Sequence, residues 1–212
     1  MIEEFFSKFS KKILRSLGLL NFAKRIRDKH VESQQFLRSR KEGLTDKYPT
    51  PPGNLIDLIV ASQDVYWYYV GGKLAKDNIL SSFEQINVDI NKFQNVLDFG
   101  CGCGRVLRKW CNSTFQIYGT DYNPILTDFC KNALPFAKIS TNNLYPPLHY
   151  SNEQFDFIYL FSVFTHLTFE NQIQWLKEFH RILKPNGYLL FTMQGPYFMS
   201  TEILSRIPWN RK

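Results

Sequence analysis

Val96-Leu97-Asp98-Phe99-Gly100-Cys101-Gly102-Cys103-Gly104 decides how this chain is read. A short apolar run ends in an acid and breaks into glycine at every second position. The pattern predicts a buried strand entering a tight loop, with glycines where a Cβ would collide with a ligand lying on the backbone. Arg105-Val106-Leu107-Arg108-Lys109-Trp110 follows and predicts a helix over Gly104–Cys111. A ligand in the loop would then meet free N–H groups at a helix N-terminus. Such a loop suits a nucleotide-like cofactor.

Downstream, strand and helix patterns alternate. Strands are expected at Gln94–Phe99, Phe115–Thr120, Phe136–Ser140, Phe155–Phe161 and Tyr188–Met193. Helices are expected at Asn123–Leu134, with Asn123 as N-cap and Pro124 at the first helical position, and at Phe169–Leu183, capped by Thr168. The second would turn Ile173, Leu176, Phe179, Ile182 and Leu183 inward, and Pro185-Asn186-Gly187 would stop it. This alternation predicts an α/β, doubly wound Rossmann-like sheet with right-handed crossovers. Its ligand would sit at the carboxyl ends of the strands, where the strand order reverses.

Upstream, residues 54–90 read as helices at Leu55–Ala61, Asp64–Val70 and Lys73–Gln85, the last two separated by Gly71-Gly72. Tyr66-Trp67-Tyr68-Tyr69 is either a packing plug between helices or a lid over the glycine loop. Tyr48-Pro49-Thr50-Pro51-Pro52-Gly53 reads as a linker. It divides a basic amphipathic helical arm, residues 1–47, from a domain over 54–212, itself a helical lid at 54–90 and a cofactor-binding α/β core at 94–193. In the arm Ile2, Phe5, Phe6, Phe9, Ile13 and Leu17 recur at helical spacing, and Gly18 can interrupt the helix. Residues 1–41 hold eleven bases against four acids, which is the whole net charge of +7. The remainder is neutral, so the charge describes the arm and not the core's ligand. Such an arm can pack on its own domain or a partner chain, lie on an anionic membrane, or touch nucleic acid.

The length of 212 residues, 44% hydrophobic and 21% charged, suits one globular domain with an added arm. No run reaches the roughly 18 apolar residues of a membrane span. Glu3 and Glu4 stand where a signal peptide needs positive charge. Cys101, Cys103, Cys111 and Cys130 form neither a disulfide framework nor a zinc spacing, since no second Cys/His pair complements Cys101 and Cys103. Reduced thiols and a cytoplasmic location, with membrane association through the arm left open, are expected, and no metal.

The spacing G-x-G-x-G departs from the dinucleotide pattern G-x-G-x-x-G, and no Gly-Lys-Ser/Thr follows to make a P-loop. Asp121, closing Ile117-Tyr118-Gly119-Thr120-Asp121, can accept from both hydroxyls of a ribose. Asp98 separates the classes better. A carboxylate there repels a pyrophosphate and suits a ligand with an ammonium group.

Four ordered segments carry a resemblance: Val96–Gly104, Gly119–Asn123, Phe155–Leu167 and Leu183–Thr192. Together they resemble the motifs of class I S-adenosylmethionine-dependent methyltransferases, over about residues 54–195. The resemblance implies S-adenosyl-L-methionine as cofactor. Asp98 would lie near its amino group, with the backbone of Gly100, Cys101 and Gly102 against the methionine part and Gly104 opening the helix. Asp121 would hold the ribose and Tyr122 would flank the adenine; where the family often has an acid near the adenine amino group this chain has Thr141-Asn142-Asn143-Leu144, so that Asn143 and Leu144 would contact the adenine. Phe161 and Ser162 would lie beside the sulfonium. Arg105 either meets the cofactor carboxylate or pairs with a helix acid.

Methyl transfer then needs orientation and exclusion of water. Tyr66, Trp67 and Tyr69 could face the sulfonium if the lid reading holds, and His166 is the candidate base for a protonated acceptor. A small-molecule, glycan or lipid-precursor acceptor is expected. The neutral core and the lack of an Asn/Asp-Pro-Pro-Tyr/Phe signature argue against nucleic acid. The family sheet continues for two further strands that the residues after Met193 do not supply. The fifth strand would be an exposed edge, so either the chain is a fragment or its own helices or a partner cover that edge. That leaves a second reading: a catalytically silent module of this fold that uses its basic arm for a partner or a membrane surface.

Overall fold

A computed structural model describes residues 20–193. The chain forms two compact units, Met1–Val70 and Gly71–Lys212. The apolar stripe from Ile2 to Leu17, and Gly18, lie outside the described residues, as does everything after Met193.

The first unit holds α1 (Leu20–Lys41), α2 (Gly53–Val60) and the start of α3 (Val65–Gln85), whose residues from Gly71 onward belong to the second unit. The early N–H groups of a helix have no partner within it, and α1 supplies two. Glu32 Oε1 accepts from Gly53 N at 3.2 Å, and Gln35 Oε1 from Val65 N at 3.0 Å. The aromatic run divides by role. Tyr66 donates to Glu42 Oε2 at 2.9 Å beneath the Arg38 guanidinium, 3.7 Å from its ring centroid. Tyr68 and Tyr69 are buried edge to face, and the Tyr69 hydroxyl pairs with Thr50 at 2.8 Å. These three pack, whereas Trp67 is exposed.

In the second unit a five-stranded sheet comprises β1 (Asn95–Phe99), β2 (Gln116–Asp121), β3 (Lys138–Thr141), β4 (Phe155–Leu160) and β5 (Leu183–Phe191), ordered β3-β2-β1-β4-β5. Every pairing is parallel. Two α-helices lie between strands: α4 (Pro124–Ala133), whose N-cap Asn123 accepts from Ile125 N, and α5 (Phe169–Ile182), whose N-cap Thr168 accepts from Asn171 N. The order is that of a doubly wound sheet, with β1 and β4 flanking the point of reversal. One apolar cluster joins Leu97, Phe99, Phe155, Ile158 and Leu160 to Trp175, Phe179 and Ile182. A second gathers Phe83 of α3, Phe93, Phe157 and Tyr188 at ring separations of 4.8–5.3 Å from Phe83. β4 is thus buried on both faces, as its unbroken apolar run requires.

Four expectations are corrected. Gly71-Gly72 does not break the helix, because α3 runs through both residues. A Cβ at Gly72 would strike the carbonyl oxygen of Arg105, and one at Gly71 would meet the Arg105 guanidinium at 2.7 Å. These glycines mark a close approach of backbones rather than a stop. Gly104–Cys111 is not an α-helix but a set of turns ending in a 3₁₀ turn, Leu107–Trp110. At three residues per turn Leu107 and Trp110 eclipse, and both are buried. On α5, Phe179 and Ile182 are buried as expected and Leu176 and Leu183 pack against the same cluster, but Ile173 is exposed, and Trp175 and Glu178 are the further buried residues. Finally, β5 starts at Leu183 directly after α5, and Pro185–Gly187 forms an irregularity in its pairing with β4 rather than the end of a helix.

No helix of the described residues is long and apolar enough to cross a membrane.

Candidate functional site

The site is built at the carboxyl ends of β1, β2 and β4. The glycine loop leaves β1 with φ of +75° at Gly100, +55° at Gly102 and +84° at Gly104. Gly100 N and Cys101 N both donate to Thr120 O, at 2.8 and 3.0 Å, tying the loop to the end of β2. A Cβ at Gly100 would strike the Val163 side chain, and one at Gly104 would meet Leu134 Cδ1 at 2.6 Å. The chain's own side chains, from the turn after β4 and the end of α4, therefore forbid a Cβ at those two positions. The sequence pattern assigned that restriction to a ligand. Two of the loop N–H groups expected to be free are already used. Gly102 N donates to Asp121 Oδ2 at 2.9 Å and Gly104 N to Cys101 O at 2.9 Å.

Asp98 lies in β1 and is 4% exposed. Burial pushes its carboxyl up to about 7, against the opposing pull of the Tyr159 hydrogen bond, the Arg105 charge and the Leu107 N–H. Tyr159 of β4 donates to Asp98 Oδ2 at 2.9 Å, and Trp110 Nε1 donates to Tyr159 Oη at 3.1 Å. The carboxylate is oriented yet undercompensated, an arrangement that favours a ligand with a positive group.

Asp121 closes β2 and is buried. Burial raises its pKa, while the N–H groups of Asn123, Gly102 and Tyr122 work the other way. Its Oδ1 accepts from Asn123 N at 2.9 Å. Asp121 thus braces both the glycine loop and the turn into α4, and three N–H groups on about four acceptor sites leave it room for a further donor. Asn142 fixes the neighbouring strand end: its Oδ1 accepts from Thr120 Oγ1 at 2.8 Å and its N donates to Asp121 O at 3.1 Å.

Other expected residues line the rim. Tyr122, Asn143 and Leu144 are exposed beyond β2 and β3, joined by Tyr145. Asn142 is committed within the fold, which leaves Asn143 as the amide available to a ligand. Phe161 is half-buried, its ring 5.9 Å from that of Tyr159. Ser162 is exposed with φ of +59°, its N donating to Thr192 Oγ1 at 2.7 Å. A left-handed non-glycine residue costs about 1–2 kcal/mol, and here the cross-strand bond holds it. His166 is exposed on the 3₁₀ turn Phe164–His166, past Ser162. Cys101, Cys103 and Cys130 are buried free thiols. The Cys130 thiol beside Cys101, and then burial, push the Cys101 thiol well above its usual range, so it is no nucleophile. Arg105 contributes its charge to Asp98.

Sequence reasoning missed Tyr159 and Trp110. The available signal is the phenol itself: a tyrosine in a strand buried on both faces needs a partner for its hydroxyl.

The site thus offers two buried carboxylates at neighbouring strand ends, one undercompensated and one held by backbone N–H groups, chemistry that a cation and a diol would answer. Residues 97–191 match the family described as Methyltransferase domain. The chain is 28% identical over 141 residues to an uncharacterised methyltransferase of Oceanobacillus iheyensis, covering 64% of this chain and 65% of that protein. It is 30% identical over 122 residues to a probable tRNA methyltransferase 9B of Mus musculus, covering 55% and 26%. The chain thus spans just under two thirds of the first relative and about a quarter of the second. Among solved structures, a TehB-like S-adenosylmethionine-dependent methyltransferase of Corynebacterium glutamicum aligns at 21% identity with a TM-score of 0.44, covering 61% of this chain and 79% of that one. Residues 97–191, a little under half of the chain, are thus those of a methyltransferase domain.

Proposed function

We propose that this chain transfers a methyl group from S-adenosyl-L-methionine to a small-molecule, glycan or lipid-precursor acceptor. One observation carries the reading: two buried carboxylates, Asp98 and Asp121, stand at the carboxyl ends of neighbouring strands on either side of the glycine loop. The two carboxylates suit a ligand that carries both a cation and a diol. The cofactor supplies an already activated methyl group. The chain's own task is to bind it, exclude water and orient the acceptor. Asp98 anchors the ammonium, Asp121 the ribose, and Phe161 and Ser162 close the side nearest the sulfonium. His166, exposed beyond β4, is the residue we assign to take a proton from an acceptor that arrives protonated.

The neutral charge of residues 42–212 supports an acceptor other than nucleic acid, although one relative is a probable tRNA methyltransferase. Calorimetry should detect S-adenosylmethionine binding by the intact chain. Asp98→Ala and Asp121→Ala should each weaken it, by more than about 100-fold for the first and about 10-fold or more for the second. Absence of binding to the unaltered chain overturns the reading. Incubation with labelled cofactor and a metabolite pool, with bulk RNA in parallel, distinguishes the acceptor classes. Label on RNA alone would replace the small-molecule assignment, and binding without transfer to anything would favour a silent module.

A further inference from the structure

The Trp110–Tyr159–Asp98 chain links residues that lie far apart in the sequence. All three side chains are buried: Asp98 at 4% exposure, Trp110 at 3% and Tyr159 at 0%. They come from three elements, the 3₁₀ turn, β4 and β1. The direction of each bond is fixed by chemistry. An indole nitrogen only donates, so Trp110 Nε1–H must give to the phenol oxygen, at 3.1 Å. The phenol proton is then free to point only at Asp98 Oδ2, at 2.9 Å. A phenol that both accepts and donates is polarised toward the carboxylate. Burial and the Asp98 charge hold the phenol proton in place, well beyond the usual tyrosine range, so Tyr159 stays a donor throughout. The other groups acting on Asp98 are the Arg105 guanidinium, the Leu107 N–H and, repulsively, Asp121.

We propose that Tyr159, aimed by Trp110, is a positioning residue for cofactor capture: it favours and orients the Asp98 carboxylate for the cofactor's ammonium. The inference rests on the cofactor site proposed above. Without the phenol, Asp98 loses a donor that only its charged form rewards, so its proton is held more tightly and capture needs a higher pH. The cofactor's own ammonium loses its proton near pH ~8. Affinity therefore has an acid limb set by Asp98 and an alkaline limb set by the ligand, and Tyr159 acts on the acid limb alone.

The test is calorimetric affinity for S-adenosylmethionine from pH 5.5 to 8.5 in the intact chain, in Tyr159→Phe and in Tyr159→Phe combined with Trp110→Phe. The double variant removes both partners of the indole–phenol bond and leaves no buried indole N–H unpaired. Circular dichroism confirms that each variant is folded. The expected result is an acid limb moved up by about one pH unit in both variants, which is about tenfold weaker binding at pH 6 and a loss under about threefold at pH 8. An acid limb unmoved in whichever variant folds, or a loss equal at every pH, overturns the inference and leaves Tyr159 a packing residue. No binding by the unaltered chain at any pH overturns the cofactor site itself, and the inference with it.

Discussion

The acids within the α/β core fall into two groups with opposite fates. Asp156 and Glu178 are held by cations of the fold. Asp156 Oδ2 accepts from Gln94 N and Asn95 N at 2.9 and 2.8 Å, and its Oδ1 meets Lys184 Nζ at 2.8 Å. Glu178 accepts from Arg181 at 2.6 Å and from Leu148 N at 2.7 Å. Although burial opposes it, these partners bring both carboxyls below the usual range. Asp98 and Asp121, at the carboxyl ends of β1 and β2, are pushed upward by burial. No ion pair is formed by either among the described residues, and backbone N–H groups and a phenol orient them. The first pair serves the fold. The second is set for a partner that arrives from solution, and strained placement of this kind is typical of functional sites.

The contrast can be broken most sharply at Asp98. Its folded pKa is raised, so between about 3.8 and about 7 the folded chain holds a proton that the unfolded chain has lost. Stability contributed at that position therefore declines as pH rises through this window. Asp98→Asn should remove the decline and raise stability at pH 8 by on the order of 2 kcal/mol, while abolishing cofactor binding. Thermal melts at pH 5 and pH 8 check the first half and calorimetry the second. Loss of stability at pH 8 would class Asp98 with the structural acids.

Glu178→Ala should behave in the opposite sense. It strands the Arg181 guanidinium, which also holds Tyr150 O and Leu148 O, and it leaves Leu148 N without its acceptor. We expect about 2 kcal/mol of lost stability, the partial exposure of Arg181 keeping it below the 3–5 kcal/mol of a fully buried pair. Denaturant unfolding measures it, and cofactor affinity of the folded variant should change less than about threefold. The smallest effect belongs to Asp156→Asn, about 1 kcal/mol. Because the folded pKa values of Asp156 and Glu178 are lowered, their stabilisation is present above the ordinary carboxyl range and lost as pH falls through the folded values. The acid limb of the unfolding profile, below about pH 4, should be shallower in both variants.

Much of this arrangement is legible in the sequence. The strand into Asp98, the acid at the end of β2 and the order of the later strands carry a periodic or chemical signal, and the caps Asn123 and Thr168 fall where their residue types place them. The failures share a cause. Gly71-Gly72 reads locally as a break, but the reason for the glycines is Arg105, far along the chain. Trp175 rather than Ile173 is buried on α5 because its ring contacts, tilted on Phe99 at 4.6 Å and stacked with Phe179 at 5.9 Å, are a tertiary preference that periodicity alone does not rank. Leu107–Trp110 has too few residues to show which helical period it follows. Tyr159 reads as one more apolar residue of β4 until the indole and the carboxylate are placed around it.

The central claim is that Asp98 is held for a cationic ligand, and the titration of its own carboxyl tests it most directly. Carbon-13 NMR of aspartate-labelled protein, with Asp98→Asn used to assign the signal, should show Asp98 titrating near 7 without ligand. With S-adenosylmethionine bound it should move down by more than about two pH units, as a carboxylate beside an ammonium does. An Asp98 carboxyl that titrates in the ordinary range without ligand, or that does not move when the ligand binds, would contradict the account.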